Sequence, residues 1–314
     1  MPIRIIADHL SVWNAFVCLV ANSCCSSDLR CFAQEPVAAS APAAVAEKDA
    51  TVFSYKLHYR EAGEGPAVIL LHGLGGDGSR WASTMSALAG DFRVIALDQI
   101  GFGESDKPLA NYNHALLAEF LVEFMKTIGL EKASLVGHSM GAFVGMYAAV
   151  HYPDAIDRLV LVDGGSLVAK PRSPHLVQIQ NGTTLAETRE YFELMFYDKS
   201  LVTDEMVRAN YVRRLRVSYT ISKMQEARAK GVAATVTEDE ARGIRAPTLI
   251  LWGKHDALLD PADAAVLDRV IPNSRAELIE ECGHIPQVEQ PQRFNQLVRD
   301  FLTAKDAAGA APGN

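Results

Sequence analysis

Cysteine is scarce where the chain carries its bulk. Of the five cysteines, Cys18, Cys24, Cys25 and Cys31 lie near the start, and Cys282 stands alone in the body. A lone thiol forms no internal disulfide, so the fold must rest on its core. There is no CxxC pair and no His-rich cluster, so the sequence gives no reason to expect a metal or other cofactor. Positive charge is short as well. The 30 Lys and Arg face 38 Asp and Glu, and the formal net charge of −8 removes the electrostatic reason to expect nucleic acid as a partner. The apolar run SVWNAFVCLVA (11–21) is too short for a stable membrane span, and no internal repeat is seen. What is present is ordinary for a globular chain: 314 residues, 49% hydrophobic and 22% charged, enough to bury a full core.

Residues 1–33 read as a secretory signal peptide. Arg4 precedes the apolar run, and Cys31 and Ala33 are the small residues before a cut at Gln34. Export to the periplasm or medium is the expectation. The stretch ending at Cys24 offers a lipoprotein alternative, and a disordered extension on a cytoplasmic protein is the plainer one. Residues 34–50, with PVAASAPAAVAEKDA at 36–50, are Ala/Pro-rich and too light to pack, so they read as a linker, with folding from Thr51. The tail at 305–314 reads as disordered for the same reason.

From Thr51 strand-like and helix-like segments alternate. TVFSYKLHYREAGEGPAVILLHG reads as an antiparallel pair turning at Gly63–Gly65 and entering a continuous apolar strand. FRVIALD (92–98), ASLVG (133–137), RLVLVDG (158–164), PTLILWG (247–253) and AELIEECG (276–283) read as further strands. NHALLAEFLVEFMKTIGL has apolar residues at helical spacing with a stop at Gly129, and MGAFVGMYAAVHYP is a helix ended by Pro153. Strands apolar throughout and separated by helices imply an α/β fold, a largely parallel sheet covered on both faces, with ligands at the carboxyl ends of the strands. Between Gly165 and Ala246 the alternation stops. LAETREYFELMFYD, LVTDEMVRANYVRRLRVSY and SKMQEARAK read as helices, an insertion expected over the strand ends as a cap.

The most informative stretch is LVGHSMGAFVGMYAA (135–149), where Ser139 sits between Gly137 and Gly141 at the junction of a strand and a helix. So sharp a turn strains its central residue, and bulk two positions either side would collide, which explains both glycines. Tight helix–strand packing alone accounts for the glycines but not for the serine. The turn lifts the hydroxyl clear of the sheet at the positive end of the helix, the nucleophile elbow of G-x-S-x-G sequences. A serine needs a base within hydrogen-bond reach, a carboxylate to orient that base, and donors for a developing oxyanion. LILWGKHD places Asp256 past one strand and ELIEECGH places His284 past the next, so the order is Ser, Asp, His.

Taken together in order, LLHGLGG, VIALDQIGFGESDKP, LVGHSMG, RLVLVDG, PTLILWGKHD and CGHIPQVEQPQRFNQLVRDFL resemble the α/β-hydrolase superfamily, in its cap-bearing esterase, haloperoxidase and dehalogenase-like branch, over roughly residues 60 to 302. The resemblance implies a mostly parallel eight-stranded sheet with helices on both faces. Its core would come in two parts, 51–165 and 247–304, around a helical cap at 166–246. It implies Ser139 as nucleophile, His284 as general base and acid, and Asp256 as the orienting carboxylate. The backbone N–H groups of Leu74 and Met140 would form the oxyanion hole, supported by His72, Gly73, Gly137, His138 and Gly141. Asp163, ending the RLVLVD strand, is the alternative acid, since some relatives carry the carboxylate there.

Other residues have plainer readings. Asp260 before Pro261 reads as an N-cap. His72 shapes the oxyanion loop and His138 forms a pocket wall. His58, His114 and His151 read as surface or satisfied polar groups, and His255 lacks partners at zinc spacing. The arginines of VRRLRV (212–217) read as a solvated helix face, with contact to an anionic substrate as the alternative. Tyr191, Phe192, Phe196 and Tyr197 read as cap packing, and Cys282 as packing behind the His284 loop. The expected reaction is cofactor-free hydrolysis of a small-molecule carboxylic ester through an acyl-enzyme. Epoxide hydrolases and haloalkane dehalogenases use an aspartate where this chain has Ser139. Carbon–carbon hydrolases of vinylogous diketones rank second, because they usually carry a tryptophan after the catalytic histidine, where this chain has Ile285, and a proline in the oxyanion loop. Lactonase and perhydrolase activity share the serine machinery, and a non-catalytic binding module is the reading from another class.

Overall fold

The computed structural model describes residues 44–167, 174–180 and 184–304. The expected signal peptide, the start of the expected linker and the expected tail lie outside the described residues. Eight strands form one sheet in the order β1-β2-β4-β3-β5-β6-β7-β8. They are β1 (Ala46–Val52), β2 (Tyr55–Ala62), β3 (Ala67–Leu71), β4 (Arg93–Leu97), β5 (Ala133–His138), β6 (Ile156–Val162), β7 (Thr248–Gly253) and β8 (Ser274–Ile279). The helices are α1 (Ala82–Leu88), α2 (His114–Thr127), α3 (Met140–His151), α4 (Pro174–Gln180), α5 (Leu185–Met195), α6 (Asp204–Arg216), α7 (Ser218–Ala229), α8 (Glu238–Ala241), α9 (Ala262–Val270), α10 (Pro286–Glu289) and α11 (Pro291–Thr303).

From β4 and β3 to β8 every neighbouring pair is parallel, while β2 runs antiparallel to both β1 and β4. The central strands are apolar on both faces because helices cover both. Successive side chains point to opposite sides, so Ile69, Leu71, Leu135, Leu159, Leu161 and Ile250 join α2, α3 and α9 in one buried layer. Val68, Leu70, Val136, Val160, Leu249 and Leu251 join Trp81 and α1 and α11 in the other.

Two expectations are corrected here. The chain pairs into the sheet from Ala46, inside the stretch read as linker (34–50) and before Thr51. Strand β1 is an almost wholly exposed edge, so its composition carries no burial signal. Its register is held instead by the ladder and by the ion pairs Lys48–Glu61 and Arg60–Glu47 across it. Second, β2 does not pair with the strand after Gly63–Gly65. The hairpin turn is Phe53–Ser54, both at positive φ, and β4 lies between β2 and β3. A fully apolar strand such as β3 must lie inside a sheet, so it leaves the less apolar β2 nearer the edge.

Between β6 and β7 the described residues form helices and no strand, with α5 and α6 started by the Thr184 and Thr203 caps. Ile179, Tyr191, Phe192, Phe196 and Val207 cluster with Leu258 and Ile285 from the loops after β7 and β8. The insertion therefore packs where those strands end. No helix among the described residues is long and apolar enough to cross a membrane.

Candidate active site

Ser139 occupies the junction of β5 and α3 at φ 51°, ψ −115°. That is a conformation few non-glycine residues adopt, costing on the order of 1–3 kcal/mol. The bend leaves no room on either side. A Cβ at Gly137 would lie 2.3 Å from the Gly141 carbonyl oxygen, and one at Gly141 would lie 2.2 Å from that of Leu71. The Ser139 N–H donates to the Val162 carbonyl at 2.8 Å, which ties the bend to β6.

Three loops then meet. His284 Nε2 lies 3.0 Å from Ser139 Oγ, and His284 Nδ1 lies 2.7 Å from Asp256 Oδ2. With Nδ1–H donating to the carboxylate, Nε2 presents its lone pair to the serine hydroxyl. Asp256 accepts three more hydrogen bonds, from Trp252 Nε1 at 3.0 Å and from the Leu258 and Leu259 N–H groups at 2.7 and 3.0 Å. Both His284 and Asp256 are almost fully buried.

The histidine loop is pinned from several directions. The His284 N–H donates to the carbonyl of Met195 at 2.7 Å, the end of α5, so a helix end and a loop satisfy each other. His138 Nε2–H donates to the His284 carbonyl at 2.7 Å, and the Gly283 N–H donates to Glu289 at 2.7 Å. Burial, with His284 beside it, pulls the His138 imidazole well below its usual range, so this pocket wall stays neutral.

The loop after β3 is held by His72, whose Nδ1–H donates to the Gly73 carbonyl at 2.9 Å while Nε2 accepts from the Gln99 N–H at 3.1 Å. Burial lowers this imidazole also, which suits a neutral ring accepting one bond and donating one. A Cβ at Gly73 would sit 2.9 Å from the His138 ring, so only glycine lets the loop approach the serine. Leu74 lines the same cavity as Ser139 and His284. Met140 is the first residue of α3, so its N–H has no acceptor within the helix.

Of the two candidate acids, Asp256 is the one bonded to His284. Asp163 lies beside it, fully buried, with Oδ1 accepting from the Gly253 N–H at 2.8 Å. These two and His284 are the single group among the described residues whose carboxylate and imidazole atoms converge, all within 4.8 Å of one another. Asp260 Oδ1 accepts from the Ala262 N–H at 3.1 Å at the start of α9, where Pro261 rather than Asp260 stands at the N-cap. His58 reaches Asp49 at 2.9 Å, His151 packs on Tyr147, and His255 stacks on Tyr197 at 4.5 Å. Cys282 is fully buried, and burial, with the carboxylates of Glu289 and Asp256 nearby, pushes its thiol far up, away from any nucleophilic role.

The arginines are the main correction. Arg216 is exposed, but Arg213 pairs with Asp77 at 2.6 Å and Arg214 is 5% exposed, so VRRLRV is not a solvated face. Arg214 lines the cavity beside Ser139, lies 4.7 Å over the Tyr191 ring, and donates to the Gln180 carbonyl. Arg80, which no motif singled out, lines it too, bonded to Asn210 at 2.5 Å and 5.4 Å from the Phe192 ring centre. Burial and the neighbouring Arg213 bring the Arg80 guanidinium down to about 10, still charged at neutral pH. Among the described residues neither Arg80 nor Arg214 has a carboxylate within ion-pair distance. Tyr191 and Phe192 both pack the insertion and line this cavity, whereas Phe196 only packs. The helical period at 212–217 could have marked Arg214 as the inward position, since Val207, Asn210 and Arg214 share one face; nothing in the sequence marked Arg80.

The family model of the alpha/beta hydrolase fold matches residues 66–291, and the chain belongs to that family. It is 30% identical to 2-hydroxymuconate semialdehyde hydrolase of Pseudomonas sp. (strain CF600), over 81% of this chain and 92% of that protein. Among solved structures it is similar to a meta-cleavage product hydrolase from Pseudomonas fluorescens IP01, with a TM-score of 0.74 and 29% identity over 81% of this chain and 97% of that one. It is also similar to a membrane phospholipase A described as a bacterial virulence factor, with a TM-score of 0.75 and 26% identity over 82% of this chain and 86% of that one.

Proposed function

We propose that this hydrolase works through Ser139 as nucleophile, His284 as general base and acid and Asp256 as the orienting carboxylate, cleaving a small-molecule ester. The observation that carries the reading is the hydrogen-bonded chain from Ser139 through His284 to Asp256, with the serine on a bend its neighbours cannot relax. Ser139 Oγ attacks the substrate carbonyl while His284 Nε2 takes its proton. The N–H groups of Leu74 and Met140 receive the oxyanion, where one donor is worth about 10²–10³ in rate. The C–O bond breaks as His284 returns the proton to the departing alcohol. Water, deprotonated by His284, then frees the acid and restores the serine.

The second reading is carbon–carbon bond hydrolysis by the same residues. The 2-hydroxymuconate semialdehyde hydrolase and the meta-cleavage product hydrolase above lean toward this reading, and the phospholipase A toward the first. What favours an acidic substrate, by either route, is the pair of guanidiniums lining the cavity, Arg80 and Arg214, with no carboxylate within ion-pair distance among the described residues, since guanidinium binds carboxylate in a planar fork. The test is a panel of short neutral esters, carboxylate-bearing esters, lactones and a vinylogous diketone acid, with Ser139→Ala as blank. Serine-dependent turnover of esters supports the first reading, and turnover of the diketone alone supports the second. Turnover that survives Ser139→Ala rejects both.

A further inference from the structure

Asp163 has no part in the scheme above, yet it is one of the most enclosed polar groups in the chain. Its exposure is 0%, and its backbone is held at φ 45°, a left-handed conformation that aspartate tolerates better than most residues. Oδ1 takes the Gly253 N–H at 2.8 Å, but Oδ2 has no donor. It faces the Asp256 carboxyl group instead, inside the cluster that converges within 4.8 Å. Two carboxyl groups so placed, away from water, cannot both ionise, and one must carry a proton.

The surroundings decide which. Asp256 accepts four hydrogen bonds, from His284, Trp252, Leu258 and Leu259, the donor set of a carboxylate. Asp163 accepts one. The groups facing it from the packed elements are Asp256 from the loop after β7, His284 and Cys282 from the loop after β8, and Glu289 from α10. No cation is among them. Burial and the charges of Asp256 and Glu289 hold the Asp163 carboxyl well above its usual range.

Resting on the reading of Ser139, Asp256 and His284 given above, we propose that Asp163 is a positioning residue whose neutral carboxyl group donates a hydrogen bond to Asp256 and so fixes the carboxylate that orients His284. The position read as an alternative acid thus supports the acid in use. The proton stays on Asp163 throughout the cycle, and no bond to substrate is made there.

The experiment compares Asp163→Ala and Asp163→Asn with the unsubstituted protein, reading kcat, KM and the pH dependence of kcat/KM on whichever substrate of the panel is turned over. Asparagine can accept from Gly253 and donate to Asp256 as the neutral acid does. A hydrogen bond to a charged group sets the scale, so Asp163→Ala lowers kcat about 10- to 100-fold with little change in KM. Losing the donor leaves Asp256 more strongly attractive to a protonated His284, so the acid limb moves to higher pH in this variant. Asp163→Asn restores most of the rate and returns the limb. An asparagine variant as slow as the alanine one, with its limb moved to lower pH, overturns the proposal, because it shows a negative charge has been removed. Wild-type behaviour of Asp163→Ala overturns it as well.

A second readout needs neither turnover nor the alanine variant. Infrared spectra of the resting protein at neutral pH are expected to show the carbonyl stretch of a protonated carboxyl group that is missing from Asp163→Asn. Identical spectra overturn the proposal. If the whole panel and a fluorophosphonate probe are ignored while this band is present, the hydrolytic reading fails and the shared proton stands.

Discussion

The two walls of the cavity are built by different means. The wall from the sheet consists of short loops after β3, β5 and β8, where backbone crowding dictates residue type: glycine at 73, 137 and 141, and a strained serine between the last two. The wall from the insertion consists of long side chains, Arg214, Tyr191 and Phe192, held by contacts among helices. The first wall supplies the groups for chemistry. The second, joined by Arg80 from the segment after β3, supplies charge and shape, the means of choosing a substrate. They are not independent, because the Met195 carbonyl at the end of α5 accepts the His284 N–H.

If that division holds, substitutions on the sheet side cut kcat for every substrate. Ser139→Ala or His284→Ala is expected to lower kcat by about 10⁴–10⁶, the loss seen when members of such a unit are removed. A reduction that depended strongly on the substrate would blur the division.

Away from the cavity, where α2 meets the segment after α7, the His114 N–H donates to the Ala233 carbonyl at 3.1 Å, and the ring stacks on Phe143 of α3. Burial brings this imidazole to about 4. An unfolded histidine titrates near 6.5, so below about pH 6.5 the unfolded chain takes up a proton that the folded chain refuses, and stability falls with pH. His72 and His138 are shifted in the same direction and add to the loss. Denaturant unfolding at neutral and acid pH is expected to show His114→Phe losing up to about 3 kcal/mol less than the unsubstituted protein by pH ~4.

On the insertion side, Arg214→Gln is expected to raise KM for a carboxylate-bearing substrate about 10- to 100-fold, the range for a charge-assisted hydrogen bond, with a smaller rise for a neutral ester. Equal rises for both would place Arg214 with packing rather than selection. The smallest effect is in stability. Ser139→Gly relieves the left-handed bend and is expected to stabilise by about 1 kcal/mol while abolishing turnover, as read by thermal unfolding.

The same contrast explains what could be read in the sequence. The central sheet was legible because β3, β5, β6 and β7 are continuous apolar runs, and the bend at Ser139 because steric crowding permits only glycine around it. The order of the residues that meet there was legible because each follows its own strand. Strand β1 was not, since an exposed edge leaves no apolar pattern, and neither was the pairing of β2, which depends on a strand inserted from later in the chain. Arg80 escaped, and Arg214 ranked lower as a substrate contact than as a surface residue, because arginine is read as solvent-facing by default. Only the packing of α5 and α6 over the strand ends shows them turned toward the serine.

The most direct measurement is to expose the folded protein to a fluorophosphonate and locate the adduct by peptide mass. A single stoichiometric adduct on Ser139, lost when His284 is replaced by alanine, is the expected result. An adduct elsewhere, or none on protein whose fold is intact, would contradict a nucleophilic Ser139.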